Sequence, residues 1–461
     1  MTLSDYLASL EGKTVAVIGC GVSNRPLLRR LAASRAKVCA YDRKTRAELG
    51  EFADELDALG IALYAGPDYL DFLHGDVVFR TPGLRPDLPQ IARAVEAGAV
   101  LTSEMEVFFD VCPCPIYAVT GSDGKTTTST LIAELLTASG FRCHLGGNIG
   151  RPLLCSADEI APDDRVVVEL SSFQLLTMKK APQVAVVTNV APNHLDIHRN
   201  MDEYIAAKRN VFLYQHASAR VVLNYENSIT RSFAAEAPGK VCFFSKTGIP
   251  GDGAYLDSGV IHMRENGLDT AVLPISDIRI PGMHNVENYM AAIAAVWGSV
   301  PVSAIRSLAR SFGGVEHRIE FVREVRGVRY YNDSIASSPT RTIAGLHAFT
   351  QKIILIAGGY DKKIPFEPLA PEICAHVKTL ILCGATAEKI RAAVAACPDF
   401  DPGALSILEA GTLEKAVSLA ASAAVPGDIV SLSPACAAFD QFANFAVRGR
   451  AFKEYVHALL E

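Results

Sequence analysis

Residues 115–128 read PIYAVTGSDGKTTT, an apolar strand that passes into a helix through a short turn with two glycines. Such a turn lets backbone N–H groups surround a polyphosphate, and the N-terminus of the next helix adds the positive end of its dipole. Lys125 would neutralise phosphate charge, and the Thr126 hydroxyl could bind Mg²⁺. The stretch therefore predicts an ATP site formed by Gly121, Ser122, Asp123, Gly124, Lys125, Thr126 and Thr127.

The glycine spacing of this loop differs from the common phosphate-binding pattern G-x-x-x-x-G-K-[ST]. Val119 takes the place of the first glycine, and a glycine comes two residues later, at Gly121. A polar turn before an ordinary helix is the alternative explanation. The combination of strand, GKT sequence and helix in this order favours nucleotide binding.

Two side chains that follow later apolar strands are candidates for metal ligands. Glu169 comes directly after three valines, and His194 follows a second apolar stretch. Because the carboxyl ends of parallel strands meet at one edge of a sheet, both should lie beside the loop. A carboxylate there can hold the Mg²⁺ of ATP, and a neutral imidazole can bind a second ion. The alternatives are a solvated acid and an ordinary loop histidine, and Asp196 and His198 follow close behind.

Lys208 falls on the apolar face of the helix that the pattern predicts over 201–214. A lysine in such a place either extends its charged end to solvent or stays in apolar surroundings that lower its pKa. In the second case the neutral amine can react with CO₂. The resulting carbamate carries a negative charge and can bind a metal ion.

Composition predicts a soluble cytoplasmic enzyme. The chain has 461 residues, of which 49% are hydrophobic and 20% charged, enough for two or three cores. We find neither an export signal nor the roughly 18–20 apolar residues that span a membrane. Its 11 cysteines are expected to be reduced, although the close pair Cys112 and Cys114 leaves a metal or redox role open. A net charge of −6 argues against general nucleic-acid binding.

The alternation of strands and helices restarts twice, which predicts an α/β fold of three domains with mostly parallel sheets. We expect a Rossmann-like domain over 1–103, a P-loop ATPase domain over 104–314 and a second Rossmann-like domain over 315–461. The first contains GCGVSN at 19–24, a weak form of the dinucleotide fingerprint in which Asn24 replaces the third glycine. An NAD site, and with it a nicotinamide dehydrogenase, remains an alternative for that domain.

Successive stretches along the chain resemble the motifs of the Mur ligases, ATP-dependent amide-forming enzymes of peptidoglycan precursor synthesis. The phosphate loop of that family reads T-G-[ST]-[ND]-G-K-[ST]-[ST], which matches residues 120–127. The other matching stretches are GGNIG at 146–150, ELSSFQL at 169–175, NVAPNHLD at 189–196, AK at 207–208, GMHN at 282–285 with Asn288, EHR at 316–318, NDS at 332–334 and LSPACAAFDQFANF at 432–445. The resemblance covers essentially the whole chain and points to the D-glutamate-adding branch of the family.

The resemblance implies a reaction and a set of ligands. ATP would phosphorylate the L-alanine carboxylate of UDP-N-acetylmuramoyl-L-alanine, and the amine of D-glutamate would then attack. Two Mg²⁺ ions are implied, one held by Thr126 and Glu169 and the other by His194 and a carbamylated Lys208, with Lys125, His194 and Lys208 as catalytic residues. The UDP-substrate site would comprise Gly21, Val22, Ser23, Asp42, Arg43, Thr81, Asn148 and His194, and the ATP site would be completed by Asn285, Asn288, Arg318 and Asp333.

The glutamate site is where the chain departs from the family pattern. Ile335 replaces the lysine of N-D-S-K-A-T, and Ala438 replaces the serine of A-S-L-D-Q-F. A helix that begins at Pro339 would offer N–H groups and Arg341 in its first turn as substitutes. The expected glutamate site is therefore Ser337, Arg341, Lys362, Phe439 and Phe445. Two alternatives stay open: Arg341 is only a solvated charge, or the enzyme uses L-glutamate in place of D-glutamate.

Two other functions remain compatible with the sequence. A related ligase such as folylpolyglutamate synthetase shares the loop and glutamate addition, and a regulatory ATPase would use the loop without ligase chemistry. The N-terminal G-x-G unit and the 432–442 stretch favour the muramoyl substrate. We expect a monomer that binds neither nucleic acid nor membrane, with a third domain that closes over ATP and excludes water.

Overall fold

The computed structural model describes residues 1–193 and 197–460, which form an α/β protein with three sheets. Most strand pairs are parallel and are joined through helices, so the predicted fold class is confirmed. The chain divides into two compact units, Met1–Ile275 with Glu287–Leu308, and Ser276–Val286 with Ala309 onward. The first two sheets belong to the first unit and the third sheet to the second; the boundaries at 103 and 314 stay a prediction.

The first sheet contains five parallel strands. They are β1 (Thr14–Ile18), β2 (Lys37–Asp42), β3 (Ala62–Ala65), β4 (Val77–Phe79) and β5 (Val100–Thr102), and the helices of this region are α1 (Leu3–Ala8), α2 (Asn24–Ala32), α3 (Arg46–Leu49), α4 (Glu51–Ala58), α5 (Pro89–Glu96) and α6 (Glu104–Val111). The spatial order is β3-β2-β1-β4-β5. The chain therefore reverses direction across the sheet between β1 and β4, which is where α/β sheets open a ligand crevice.

The second sheet contains nine strands and carries the phosphate loop. Its strands are β6 (Ile116–Thr120), β7 (Cys143–Gly147), β8 (Arg165–Glu169), β9 (Val184–Val187), β10 (Arg220–Asn224), β11 (Lys240–Ser245), β12 (Gly253–Asp257), β13 (Val260–Glu265) and β14 (Leu268–Pro274), and its helices are α7 (Lys125–Ala138), α8 (Ser172–Leu175), α9 (Met201–Arg209), α10 (Ser228–Ser232), α11 (Met283–Val296) and α12 (Val302–Ser311). The order is β14-β13-β12-β11-β10-β9-β6-β8-β7, antiparallel only at the β12-β13-β14 edge. β6 therefore lies between β8 and β9, whose carboxyl ends flank the loop.

Helix α9 ends at Arg209, five residues before the predicted end. The N–H groups of Val211 and Phe212 bond to carbonyls three residues back, and the Asn210 side chain donates to the Leu175 carbonyl at 2.8 Å. This tighter turn lets the adjacent Val211 and Phe212 both enter the core, where each is 0% exposed. Tertiary packing therefore overrides the helical pattern over its last residues.

The third sheet contains six strands. Its strands are β15 (Glu320–Val325), β16 (Val328–Asn332), β17 (Ile353–Ala357), β18 (Val377–Cys383), β19 (Ser406–Gly411) and β20 (Ile429–Leu432), and its helices are α13 (Pro339–Leu346), α14 (Ala370–His376), α15 (Ala387–Ala395), α16 (Leu413–Ala423) and α17 (Phe445–His457). The order is β15-β16-β20-β17-β18-β19, with only β15 antiparallel to its neighbour. Side chains of β17 alternate between two apolar clusters, one on each face.

Over the described residues, no helix is both long enough and apolar enough to cross a bilayer.

Candidate active site

The loop that is expected to bind phosphate is the turn between β6 and α7. Gly121 and Gly124 have positive φ angles of 149° and 78°. A Cβ at Gly121 would lie 1.8 Å from Oγ1 of Thr188, and one at Gly124 would lie 2.5 Å from Oδ1 of Asn288, so both positions require glycine. Helix α7 begins at Lys125 without a capping side chain. Its first N–H groups therefore face the end at which an anion would bind.

Residues that follow β9 hold the loop in this shape. Asn189 Oδ1 accepts the N–H groups of Ser122 and Asp123 at 3.1 and 2.9 Å, and the Thr188 hydroxyl donates to the Asp123 carbonyl at 2.5 Å. The hydroxyls of Ser122 and Tyr204 lie 3.0 Å apart. None of Thr188, Asn189 and Tyr204 is among the residues expected from the sequence, although Asn189 begins the NVAPNHLD stretch. Two N–H groups of the loop are thus engaged within the protein.

Two lysines converge on one carbonyl of the loop. Lys125 Nζ donates to the carbonyls of Gly121 and Ser122 at 3.0 and 2.9 Å, and Lys208 Nζ donates to that of Gly121 at 2.7 Å. Lys208 is 1% exposed, with Nζ 4.6 Å from the ring centre of Tyr204. Burial, assisted by the charge of Lys125, lowers the pKa of Lys208 to about 7. The sequence left two environments open for Lys208, one exposed to solvent and one buried. In the structure the side chain is buried.

Glu169 faces the first turn of α7 from the end of β8. Its Oε2 accepts the Thr126 hydroxyl at 2.7 Å, and its Oε1 accepts the Asn148 amide at 3.0 Å. The carboxylate is 2% exposed, and a Cβ at Gly147 would lie 2.3 Å from the Glu169 carbonyl oxygen. A hydroxyl and a carboxylate this close offer the oxygen donors that Mg²⁺ prefers. His194, expected to hold a second ion, lies outside the described residues.

Six of the residues expected at the UDP-substrate site lie at the crevice of the first sheet, whereas Asn148 follows β7 of the second sheet and His194 lies outside the described residues. Asp42 Oδ2 accepts the N–H of Cys20 at 2.6 Å, so the end of β2 holds the turn after β1. A Cβ at Gly19 would lie 3.1 Å from that of Thr81, which follows β4. The remaining expected residues here are Gly21, Val22 and Ser23, which form the turn into α2, and Arg43; Val22 is 79% exposed and Arg43 is exposed. The structure thus gathers these residues at one end of β1, β2 and β4.

Arg80, which sequence reasoning missed, positions the loop that follows β4. Its side chain is 2% exposed, and Nη1 donates to the carbonyls of Pro82 and Leu84 at 2.8 and 2.6 Å. Nη2 donates to the Phe173 carbonyl at 3.1 Å and to the Thr177 hydroxyl at 3.3 Å, in the segment around α8. An arginine directly after three apolar strand residues was the available signal, since a buried charge needs partners.

The residues expected around the rest of ATP fall in both units. Asn288 lies in the first unit, where its Oδ1 accepts the Thr128 hydroxyl at 3.2 Å. Asn285, Arg318 and Asp333 lie in the second. Asn285 donates to the Pro281 carbonyl at 2.6 Å, and Arg318 is exposed. Burial raises the pKa of Asp333 to about 7 although Ser433 donates to its carboxylate at 2.8 Å.

The residues expected to bind glutamate belong to the second unit, with Ser337, Lys362 and Phe439 on loops, Arg341 in the first turn of α13 and Phe445 at the start of α17. Lys362 Nζ donates to the Ser337 carbonyl at 3.3 Å, and Arg341 Nη1 donates to the Ile335 carbonyl at 3.2 Å. Pro339 is the first residue of α13, as predicted, but the N–H of Arg341 already bonds to the Ser338 carbonyl. Phe439 is exposed, and Phe445 is 39% exposed. The replacement of the missing family contacts by Arg341 stays a prediction.

Arg448 is a buried arginine that the sequence analysis did not single out. Its Nε and Nη2 donate to the hydroxyl and the carbonyl of Ser334 at 3.0 and 2.9 Å. Its Nη1 and Nη2 donate to the carbonyls of Ala437 and Cys436 at 3.1 and 3.0 Å. Burial lowers the pKa of Arg448 to about 10. The guanidinium thus joins the loop after β16 to the loop after β20.

Replacement of Arg448 by lysine should destabilise the second unit, because an ammonium cannot reproduce four hydrogen bonds in a fixed fork. We expect the free energy of unfolding to fall by about 1–3 kcal/mol, measured by denaturant unfolding. Arg450→Lys is the matched control, since Arg450 is exposed on the same helix. Equal stability of the two variants would contradict the proposed tie between the loops.

Comparison with protein families and curated relatives agrees with the motifs. Residues 119–296 match the Mur ligase middle domain, and residues 317–436 match the Mur ligase glutamate ligase domain. The chain is 51% identical over 460 residues to UDP-N-acetylmuramoylalanine--D-glutamate ligase of Acetivibrio thermocellus, covering 99% of each chain. It is 49% identical over 455 residues to the protein of the same name from Clostridium perfringens, covering 98% of each.

Solved structures show the same fold at low identity. UDP-N-acetylmuramate-alanine ligase from Thermotoga maritima aligns with a TM-score of 0.55 at 18% identity, over 97% of this chain and 99% of its own. E. coli FolC in complex with ADP aligns with a TM-score of 0.53 at 16% identity, over 77% of this chain and 92% of its own. The resemblance read from the motifs is thus confirmed, and the chain belongs to the Mur ligase family.

Proposed function

We propose that the protein is an ATP-dependent ligase that adds D-glutamate to UDP-N-acetylmuramoyl-L-alanine in the synthesis of peptidoglycan precursors. The observation that carries this proposal is the identity of about half the residues, over 98–99% of the chain, to relatives named for that reaction. The phosphate loop supports the use of ATP. A folylpolyglutamate synthetase or a regulatory ATPase fits less well, because the relatives match along both the N-terminal domain and the glutamate ligase domain.

The chemistry requires activation, because a carboxylate oxygen is a poor leaving group. A carboxylate oxygen of the L-alanine end would attack the γ-phosphorus of ATP, and ADP would leave. The amine of glutamate would then attack the carbonyl carbon of the acyl phosphate, and inorganic phosphate would leave with the bonding electrons. Lys125, in the first turn of α7, would offset the charge that develops on the transferred phosphoryl group.

Two divalent ions are part of the proposal. Thr126 and Glu169 would hold the Mg²⁺ that accompanies ATP, a role supported by their 2.7 Å contact beside the loop. His194 and a carbamylated Lys208 would hold the second ion. Bound Mg²⁺ supplies positive charge against the phosphates and the reacting carboxylate. Asn148, which donates to Glu169 at 3.0 Å, would keep that carboxylate oriented.

Carbamylation of Lys208 is supported by its environment. Formation of a carbamate joins the neutral amine nitrogen to the carbon of CO₂ and releases one proton to solvent. Because the pKa of Lys208 is lowered to about 7, a large share of the amine is neutral near neutral pH, whereas an ordinary lysine is almost fully charged there.

We expect the activity to depend on CO₂ through Lys208. At a pH well below the pKa of Lys208 the amine is protonated and cannot form a carbamate. Enzyme incubated at such a pH without bicarbonate should therefore lose activity, and it should regain activity at higher pH when bicarbonate is added. Lys208→Ala should be at least about 100-fold less active, insensitive to bicarbonate, and partly rescued by small carboxylates. The exposed Lys179 provides the control variant Lys179→Ala. A fully active enzyme whose intact mass shows an unmodified Lys208 would refute the assignment.

The reaction itself is tested by phosphate release with UDP-N-acetylmuramoyl-L-alanine and a panel of amino acids. We expect turnover only when both co-substrates are present, with D-glutamate preferred over L-glutamate and over D-aspartate. Phosphate release that needs neither co-substrate would indicate a regulatory ATPase. A preference for L-glutamate would contradict the stereochemical part of the proposal.

Arg341 tests the proposed glutamate site. Arg341→Ala should raise the KM for glutamate at least about tenfold, because it removes a charge-assisted hydrogen bond of roughly 1.5–3 kcal/mol, and should leave the KM for ATP little changed. Arg391→Ala is the control, since Arg391 is an exposed arginine of the same unit that pairs with Glu388 and Glu409. Steady-state kinetics with glutamate as the varied substrate measure the effect. An unchanged KM would show that Arg341 is only a solvated charge.

A further inference from the structure

Three side chains of types that can bind metal ions, with no role in the proposed reaction, meet on the second unit. They are His347, the residue that caps the C-terminus of α13, and Glu372 and His376 of α14. The Nε2 atoms of His347 and His376 lie 2.6 and 3.5 Å from the same carboxylate oxygen of Glu372. The three ligand atoms all lie within 4.8 Å of one another, and the two ring centres are 5.1 Å apart.

The packing of helices α13 and α14 holds these three residues near one another. Glu372 and His376 are four residues apart, so they project from one face of α14. Leu346 and Ile373, the chain neighbours of His347 and Glu372, are both buried in the apolar cluster on one face of the third sheet. The packing of α13 against α14 therefore sets the separation of the ligands, although the side chains themselves reach solvent.

The donor set suits a divalent transition metal better than it suits Mg²⁺. Two imidazole nitrogens and one carboxylate oxygen suit Zn²⁺, Ni²⁺ or Cu²⁺, whereas Mg²⁺ prefers oxygen alone. With bonds of about 2.0–2.1 Å, the ligands of a tetrahedral ion lie about 3.4 Å apart, so small side-chain rotations are sufficient. The His347 side chain is 52% exposed, which leaves room for water as a further ligand.

We propose that His347, Glu372 and His376 bind one divalent transition-metal ion of the Zn²⁺ class and that this ion links the end of α13 to α14. The site differs from the proposed Mg²⁺ sites in location and in chemistry. An ion that binds only the folded form stabilises it, so occupancy should raise the temperature at which the second unit unfolds.

The test is Zn²⁺ titration of EDTA-treated, dialysed full-length protein against a chromophoric chelator. We expect the wild type to bind one more equivalent of Zn²⁺ than either His347→Ala or His376→Ala, and Glu372→Gln to bind it at least about tenfold more weakly. Zn²⁺ should also raise the unfolding temperature of the wild type but not that of His376→Ala.

Two controls separate this site from other Zn²⁺ ligands of the chain. His216→Ala removes an exposed histidine outside the cluster and should bind as the wild type does. Cys374→Ser removes the thiol that lies between Glu372 and His376 in sequence, and this variant should also keep the site. The proposal would be overturned if His347→Ala and His376→Ala bound as many Zn²⁺ ions as the wild type with the same affinity. It would also be overturned if Cys374→Ser lost the additional Zn²⁺ equivalent.

Discussion

The carbonyl oxygen of Gly121 receives hydrogen bonds from Lys125 and Lys208, two lysines that come from different helices. This shared acceptor joins the phosphate loop to α9 and brings two like charges together in a buried place. Burial away from water, assisted by the positive charge of Lys125, lowers the pKa of Lys208 and makes its amine easier to deprotonate. The proposed second metal site depends on that deprotonation, so the loop geometry and the chemistry of Lys208 have one physical origin.

The fold was predictable where local periodicity decides it. The three valines before Glu169 indicate an apolar strand, and the structure has one over Arg165–Glu169; the helical pattern also places Lys208 on the buried side of α9. The pattern fails at the end of α9, because Val211 and Phe212 are drawn into a core that local spacing does not describe. Hydrophobic spacing thus locates elements better than it locates their ends.

The supporting residues of the site were not predictable in the same way. Arg80 bonds to Phe173, and Arg448 bonds to Ser334, a partner more than one hundred positions away in the chain. The position of Arg80 directly after an apolar strand hints that it is buried, but neither sequence position indicates which distant residues the arginine contacts. The structure shows two buried guanidinium groups. Each one hydrogen-bonds to chain segments that lie outside the strands and so holds those segments in place.

The tie made by Arg80 bears on how the proposed substrate would be selected. It joins the loop beside the crevice of the first sheet to the segment around α8, which follows the strand that ends at Glu169. A substrate anchored by its nucleotide in that crevice, with its carboxylate at the phosphate loop, would span a fixed interval. The protein would then select its acyl donor by the length of the molecule as well as by its functional groups.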